Sequence, residues 1–206
     1  MKDFRKNFTK EYLEEIKKTI DLMEEKLVNK VDKLATILIK AGDRKNTIFI
    51  MGNGGSASTA SHFAADLSKG TIVEGFPRVK AIALTDNIPN MLAWANDNGY
   101  EAIFVEQLKN LMEPGDVVIG ISGSGNSMNV IKAIEYANKN GGITIGLSGY
   151  DGGKLLKCAQ ENIHVPSFYM QRVEDIHLII EHLSTSLISD VRRCSISKCI
   201  SSALCI

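Results

Sequence analysis

The sequence predicts an α/β protein in which a parallel β-sheet is covered by helices on both faces and preceded by a helical extension. Two observations predict this class. From residue 46 onward, short apolar runs alternate with longer amphipathic segments, and the first forty residues carry an apolar stripe at helical spacing. The length of 206 residues, with 44% hydrophobic and 23% charged residues, suits one domain with a helical appendage.

The N-terminal extension, residues 1–42, is predicted to be helical. Apolar side chains recur every four residues over 4–20 and continue over 27–38, with Lys and Glu between them. Two helices joined near Asn29 and ending at Gly42 fit this pattern. Because so long a stripe needs a surface to pack on, we expect contact with the domain or with a neighbouring subunit, and hence an oligomer.

Residues 43–190 are predicted to form the domain, with five strands and six helices in alternation. The strands are expected at 47–51, 80–85, 116–122, 143–148 and 162–166, and the helices at 57–69, 87–95, 101–112, 127–139, 152–159 and 171–188. Strands alternating with helices in this way favour a parallel sheet buried on both faces. The remaining tail, residues 191–206, contains three of the four cysteines and receives no role.

Charge and cysteine content exclude several classes of protein. Lys and Arg total 24, as do Asp and Glu, so the chain lacks the basic excess typical of nucleic-acid binding. The charged N-terminus does not resemble a signal peptide, and no apolar run reaches the ~18–20 residues that span a bilayer. The cysteines show no C-x-x-C spacing. We therefore expect a soluble cytoplasmic protein that binds neither nucleic acid nor membrane.

Two loops rich in glycine and serine each follow a predicted strand and open a predicted helix. They are MGNGGSAS, residues 51–58, and SGSGNS, residues 122–127. At the carboxyl ends of parallel strands, glycines let a ligand approach the backbone, and the free N–H groups of the helix favour an anion. Neither loop carries a P-loop lysine or a G-x-G-x-x-G pattern, so neither a nucleoside triphosphate nor a dinucleotide is expected.

The second loop is suited to a single phosphate. Ser122, Ser124 and Ser127 can surround it with hydroxyls, and no Lys or Arg lies in the loop. One Gly-Ser turn would be weak evidence, because such turns commonly end strands. Two loops of the same design favour the binding of a sugar phosphate.

Candidate metal ligands and acid/base residues lie on two predicted helices. His62 and Asp66 are four residues apart on the helix that the first loop opens, so their side chains share a face. A histidine and a carboxylate at this spacing can bind a divalent metal or act as an acid/base pair. On the last helix, Glu174 and His182 lie about 80° apart around the axis and are expected to converge on one site.

Ordinary surface residues are the alternative explanation of these histidines. His177 and Glu181 are interpreted as an i,i+4 pair on a solvated helix face. His164, which alternates with apolar neighbours in a strand, is interpreted as a surface or partly buried residue. Spacing alone leaves the metal site and the surface pairs both open.

Four segments together resemble the sugar isomerase (SIS) domain and, more narrowly, its phosphoheptose isomerase branch. They are GNGGSASTASHFAADL (52–67), ANDNGYEAIF (95–104), GDVVIGISGSGNSMNVIKAI (115–134) and DGGKL (151–155). The resemblance extends from the N-terminal helices to about residue 190. It implies a flavodoxin-like three-layer sandwich around a five-stranded parallel sheet, assembled as a homotetramer with active sites between subunits.

The resemblance also implies which residues form the active site. Sugar contacts would come from Asn53, Gly54, Gly55, Ser56, Asn96, Asp97 and Glu174, and phosphate contacts from Ser122, Gly123, Ser124 and Ser127. Zinc or another divalent metal would be bound by His62, Asp66, Glu174 and His182. The implied reaction converts sedoheptulose 7-phosphate to D-glycero-D-manno-heptose 7-phosphate through an enediol, with Asp66 as base and His182 as acid.

The sequence departs from the family pattern at this implied metal site. The family's Glu is Asp66, which is one methylene shorter, and the family's Gln is Glu174, with Gln171 one turn upstream as a substitute ligand. An Asp common in the first helix is Thr59. Two histidines and two carboxylates still form a chemically sound site for a divalent metal.

Two other functions remain open from the sequence. Some SIS proteins close to this branch are non-catalytic tetrameric scaffolds, and others isomerise or sense different sugar phosphates. Because the scaffolds tend to lack the paired histidines, the presence of His62 and His182 favours an enzyme. Nothing in the sequence separates one sugar from another.

Overall fold

The computed structural model describes the backbone of residues 2–203 and the side chains of residues 3–196. Within that range, strands and helices alternate after one long N-terminal helix. The helices are α1 (Lys2–Asp43), α2 (Gly55–Gly70), α3 (Ile88–Asn98), α4 (Val105–Leu111), α5 (Met128–Lys139), α6 (Leu155–Cys158) and α7 (Met170–Ala203), with a 3-10 turn at Tyr100–Ala102. The strands are β1 (Thr47–Gly52), β2 (Lys80–Ala83), β3 (Val117–Ser122), β4 (Ile143–Ser148) and β5 (Glu161–His164).

The five strands form one parallel sheet in the order β2-β1-β3-β4-β5, which confirms the predicted fold class. In the central register, Ile50 pairs with Ile119, which pairs in turn with Ile145. Every residue of β3 is buried, because helices cover both faces of the sheet. This burial explains why the strands are visible in the sequence as short continuous apolar runs.

Side-chain alternation along each strand divides the interior into two cores. Ile48 and Ile50 of β1 point to the face covered by α1, α2 and α7, whereas Phe49 and Met51 point to the face covered by α3 to α6. All four of these side chains are completely buried. The result is the three-layer sandwich that the family resemblance implies.

The N-terminal extension is one continuous helix, so the prediction of two helices joined near Asn29 is wrong. The Asn29 amide donates a hydrogen bond to the backbone carbonyl of Glu25 within the helix and does not break it. From Met23 onward, one side of α1 is buried against the domain. The first turns project beyond it, and Phe4 and Phe8 remain 71% and 50% exposed.

The last helix continues well past its predicted end at residue 188. α7 extends to Ala203, and the predicted domain boundary at residue 190 therefore falls inside it. Arg192 anchors this part of the helix: it is 1% exposed, and its Nη1 donates a hydrogen bond to the carbonyl oxygen of Thr71 at 2.9 Å. Of the predicted tail, residues 204–206 and the side chains from 197 onward lie outside the described residues.

The strand order creates a crevice between β1 and β3. From β1 the chain moves outward to β2 and then crosses back to β3 on the other side, so the loops after β1 and β3 diverge at the carboxyl edge of the sheet. In sheets of this order, that switch point is the usual ligand site. It places the two predicted ligand loops side by side.

Of the helices in the described part of the chain, none combines the length and apolar character needed to cross a membrane.

Candidate active site

A cavity of about 290 Å³ lies between the two glycine- and serine-rich loops. It is lined by Asn53, Gly54, Gly55, Ser56, Ile121, Ser122, Gly123, Ser124, Ser127, Met170 and Glu174. Nine of these eleven residues are predicted substrate contacts, and they come from the ends of β1 and β3 and the start of α7. The structure therefore brings most of the predicted sugar and phosphate residues together in one crevice.

The loop after β3 presents its polar groups to this cavity. The hydroxyls of Ser122 and Ser127 lie 2.9 Å apart, and Ser127 begins α5 without its side chain capping a described backbone N–H. Gly125 has φ +67°, and a Cβ there would collide with the carbonyl of Gly152, so only glycine suits the turn. The Leu155 N–H donates to the Gly125 carbonyl at 2.9 Å and holds the loop in place. At the start of α5 the Val130 N–H donates to Asn129 Oδ1 at 3.0 Å, and the N–H groups of Met128 and Asn129 are left to suit an anion.

The loop after β1 is held by a side-chain network that orients Asn53. Its amide exchanges two hydrogen bonds with the Asn129 amide, at 2.8 and 2.9 Å. The Tyr100 hydroxyl donates to Asn53 Oδ1 at 2.8 Å. Sequence reasoning missed Tyr100 and Asn129 as supports of the site, although both lie in the segments that carry the family resemblance. These contacts fix the Asn53 side chain at the edge of the cavity.

Asn96 and Asp97, the other predicted sugar contacts, lie elsewhere. Both are exposed on α3, where the Asn96 amide donates to the Asp97 carboxylate at 2.7 Å. Neither of these two described side chains lines the cavity. Their contact with a sugar stays a prediction.

A second group of polar residues lies where α2 packs against α7. His62 and Asp66 come from α2, Glu181 and His182 from α7, and one ligand atom from each lies within 4.8 Å of all the others. His62 Nε2 is 3.8 Å from Asp66 Oδ1, and His62 Nδ1 is 3.8 Å from Glu181 Oε2. The two imidazole rings meet edge to face, with centroids 5.0 Å apart. We refer to these four residues as the His/carboxylate cluster.

Glu181 is the member of the cluster that the sequence did not identify. The expectation that Glu181 and His177 lie on a solvated face is wrong, because both are completely buried. Residues four apart do share a helix face, but this face of α7 is turned into the protein. A signal was available in the sequence: Glu181 follows Ile179 and Ile180 directly and precedes His182.

The environment of Glu181 is chemically unusual. Neither carboxylate oxygen has a hydrogen-bond partner among the described residues. Burial, and secondarily the negative charge of Asp66, raises the pKa of Glu181 to about 8. Buried carboxylates are normally hydrogen-bonded, paired or bound to a metal. With two imidazoles and a second carboxylate beside it, this donor set fits a divalent cation such as zinc.

Glu174 does not join the cluster in this chain. Its carboxylate lies against Gly55, where a Cβ would collide with it, at the N-terminal end of α2. The helix dipole favours a negative charge at that end. Because a helix rises about 1.5 Å per residue, Glu174 and His182 are about 12 Å apart along the axis of α7, which the angular argument overlooked.

The cavity and the cluster therefore lie at different positions along the same pair of helices, α2 and α7. Glu174 and Gly55 lie at the cavity, and the cluster lies about two turns further along α2 and α7. The His62 side chain is 47% exposed and His182 is exposed, so the cluster opens to the protein surface. A parallel α/β sheet with a polar crevice at its switch point and a His/carboxylate cluster nearby is the arrangement expected of a protein that binds a phosphorylated small molecule.

Comparison with known proteins narrows this class. The sequence model of the SIS domain family matches residues 11–149. The chain is 42% identical over 186 residues to the phosphoheptose isomerase of Aliarcobacter butzleri, covering 88% of this chain and 95% of the relative. It is 39% identical over 182 residues to the probable phosphoheptose isomerase of Thermoplasma acidophilum, covering 88% and 97%.

Comparison with solved structures identifies the same kind of protein as comparison with sequences does. The phosphoheptose isomerase of Neisseria gonorrhoeae superposes with a TM-score of 0.83 at 30% identity, over 90% of this chain and 98% of that one. The chain belongs to the SIS domain family, in its phosphoheptose isomerase branch, and is an aldose–ketose isomerase by that membership.

Proposed function

We propose that this protein converts sedoheptulose 7-phosphate to D-glycero-D-manno-heptose 7-phosphate. The observation that carries the proposal is the meeting of His62, Asp66 and His182 across α2 and α7, in a chain that also has a crevice suited to a phosphate. The names of the curated relatives support the choice of a heptose phosphate. Paired histidines beside a carboxylate favour catalysis over a scaffold role.

The crevice would bind the two ends of the substrate differently. The phosphate is held by the hydroxyls of Ser122, Ser124 and Ser127 and by the free N–H groups at the start of α5. Sugar hydroxyls contact the fixed amide of Asn53, the backbone of the first loop and the Glu174 carboxylate. Asn96 and Asp97 are retained as further sugar contacts by resemblance alone.

Proton transfer is assigned to the cluster. The Asp66 carboxylate takes the proton from C1 of the ketose while His182 gives a proton to the C2 carbonyl oxygen, which produces the enediol. Asp66 then returns its proton to C2, and the O1 hydroxyl returns one to His182, which leaves the aldose. A divalent metal bound by His62, Asp66 and His182 would polarise the substrate oxygens. The resemblance implies Glu174 as a fourth ligand, but in this structure Glu174 lies at the cavity and outside the cluster.

Assembly as a homotetramer would complete the site. The cluster is open to solvent at His62 and His182, whereas an enediol is best protected from water. The apolar side chains exposed on α1, such as Phe4 and Phe8, offer a surface on which a neighbouring subunit can pack. We also propose a cytoplasmic location, which rests on the composition of the chain.

The catalytic assignment is tested by Asp66→Asn, which keeps the shape of the side chain and removes the base. Loss of a general base typically lowers kcat by about 10²–10⁴-fold. Asp190→Asn is a matched control, because Asp190 is an exposed residue of α7 remote from the cluster. Turnover of sedoheptulose 7-phosphate is measured for both variants and the wild type. Full turnover by Asp66→Asn would remove the main support for the mechanism.

A further inference from the structure

We propose that Glu181 is a direct ligand of the divalent metal, together with His62, Asp66 and His182, and that Glu174 acts on the substrate side instead. This inference deepens the proposed function and rests on it for the metal's role. It differs from the ligand set that the family resemblance implies. It depends on three features of the chain: the burial of Glu181, the geometry of the cluster and the position of Glu174.

The burial of Glu181 favours the binding of a cation at its carboxylate. Its side chain is completely buried and both oxygens lack hydrogen-bond partners among the described residues. Its neighbours in the cluster are the Asp66 carboxylate and the imidazoles of His62, 3.8 Å away, and His182. Neither a Lys nor an Arg of the described range forms an ion pair with it. A carboxylate in such a place is stabilised when a metal ion occupies its free lone pairs.

The geometry of the cluster is close to that of a bound metal. Tetrahedral zinc ligands at about 2.1 Å from the ion lie about 3.4 Å from one another. The four ligand atoms here are within 4.8 Å of one another, and the two measured His62 distances are 3.8 Å, so modest side-chain rotation brings them into range. Glu181 and His182 are adjacent on α7 and approach from its buried and its exposed side respectively.

The two carboxylates of α7 have separate environments. Glu174 lies against Gly55 and lines the cavity between the loops. It is half-buried and faces the space that a sugar would occupy, whereas Glu181 faces His62. Asp66 is also one methylene shorter than the family's Glu, and the longer Glu181 side chain reaches the same cluster from the opposite helix. Besides Asp66 and Glu174, the chain therefore has a third candidate carboxylate ligand, Glu181, beside the two histidines of the cluster.

The inference is tested by zinc binding in the absence of substrate. Metal-free wild type, Glu181→Ala and Glu174→Ala are titrated in competition with a chromophoric chelator, and Co²⁺ absorption spectra report the ligand set. We expect Glu181→Ala to weaken zinc binding by more than the 10–100-fold typical of outer-shell losses and to change the Co²⁺ spectrum. Glu174→Ala should keep zinc affinity within about threefold and raise the KM for the sugar phosphate.

The controls separate failure of the inference from failure of the proposed function. Circular dichroism and thermal melting of the metal-free variants establish that they fold. If Glu181→Ala does not fold, Glu181→Asp, which keeps the charge and shortens the side chain, replaces it and should also weaken zinc binding. Unchanged zinc binding in the Glu181 variant, or no zinc binding by the wild type, would overturn the inference. Loss of zinc binding in a protein inactive on sedoheptulose 7-phosphate would support the ligand and reject the substrate.

Discussion

Ser127 stands at the start of α5 but does not cap it. A serine at this position commonly accepts a hydrogen bond from a backbone N–H of the first turn, whereas the Ser127 hydroxyl lies 2.9 Å from that of Ser122. The Val130 N–H of this turn donates to Asn129 Oδ1 at 3.0 Å, so the N–H groups of Met128 and Asn129 are the ones available to a ligand, together with both hydroxyls. The start of α5 therefore lacks the stabilisation of a side-chain cap, as expected where backbone donors must face a phosphate.

Replacement of this hydroxyl should therefore affect binding more than folding. Ser127→Ala removes one donor to a charged phosphate, which is worth about 1.5–3 kcal/mol, so the KM for the sugar phosphate should rise by about 10–100-fold. Steady-state kinetics measure this, with Ser195→Ala, an exposed serine of α7, as the control. A KM within twofold of the wild type would mean that the phosphate binds elsewhere.

His177 gives the protein a predictable dependence of stability on pH. Burial, with a smaller contribution from His164, lowers its pKa from the ordinary value of 6.5 to about 4, against a hydrogen bond with the Ser148 carbonyl that raises it. Between these two pH values the unfolded chain binds more protons than the folded one. The stability contribution is therefore complete above pH 6.5 and is lost as the pH falls toward 4.

The expected size of this effect is large enough to measure. This group alone should make the protein about 2 kcal/mol less stable at pH 5 than at pH 7, since each pKa unit corresponds to about 1.4 kcal/mol. Urea unfolding of the wild type and of His177→Gln at the two pH values isolates the contribution by difference. An identical pH dependence in both proteins would show that His177 is not held neutral by burial.

At the scale of the elements, α7 does more than complete the sandwich. It carries Glu174 at the cavity, Glu181 and His182 in the cluster, and Arg192 beyond the predicted end of the domain. Arg192 bonds to the Thr71 carbonyl at the C-terminal end of α2 and lies 4.0 Å from Asp43 at the end of α1. Near its other end, Glu174 of α7 lies against Gly55 at the start of α2, so α7 contacts α2 on both sides of the cluster and keeps its halves in register.

Loss of the Arg192 anchor should destabilise the fold. Arg192→Ala removes a buried side chain and leaves the Thr71 carbonyl without this partner, so the free energy of unfolding should fall by about 2–4 kcal/mol. Arg193→Ala, which alters an exposed ion pair, should change it by less than about 1 kcal/mol. Chemical denaturation of both variants tests the difference. Equal effects would contradict the anchoring role.

The helices and strands differ in how well the sequence predicts them. Buried parallel strands are apolar on both faces, so β1, β3 and β4 could be located to within a residue or two. The crevice followed from the glycine and serine loops. The end of α7 was not predictable, because a polar sequence does not show that one arginine is buried. Glu181 was missed because helical spacing identifies a face without showing what covers it.

For the whole molecule, the cavity proposed to bind the phosphate and the cluster proposed to transfer protons lie about two helical turns apart within one subunit. Family membership and fold are established by the comparisons, and the central claim that remains is the reaction itself. An exposed cluster and exposed apolar residues on α1 are consistent with a site that is closed by assembly. Activity should therefore require the metal and the intact oligomer together.

The most direct test is turnover of sedoheptulose 7-phosphate by the full chain, measured after chelation and again after zinc is restored. We expect conversion to an aldoheptose 7-phosphate that is lost on chelation and returns with zinc, because a cation bound by the cluster would neutralise its carboxylates. No conversion in the zinc-loaded protein, with the sugar phosphate still bound tightly, would contradict the assignment and indicate a binding protein or a different sugar.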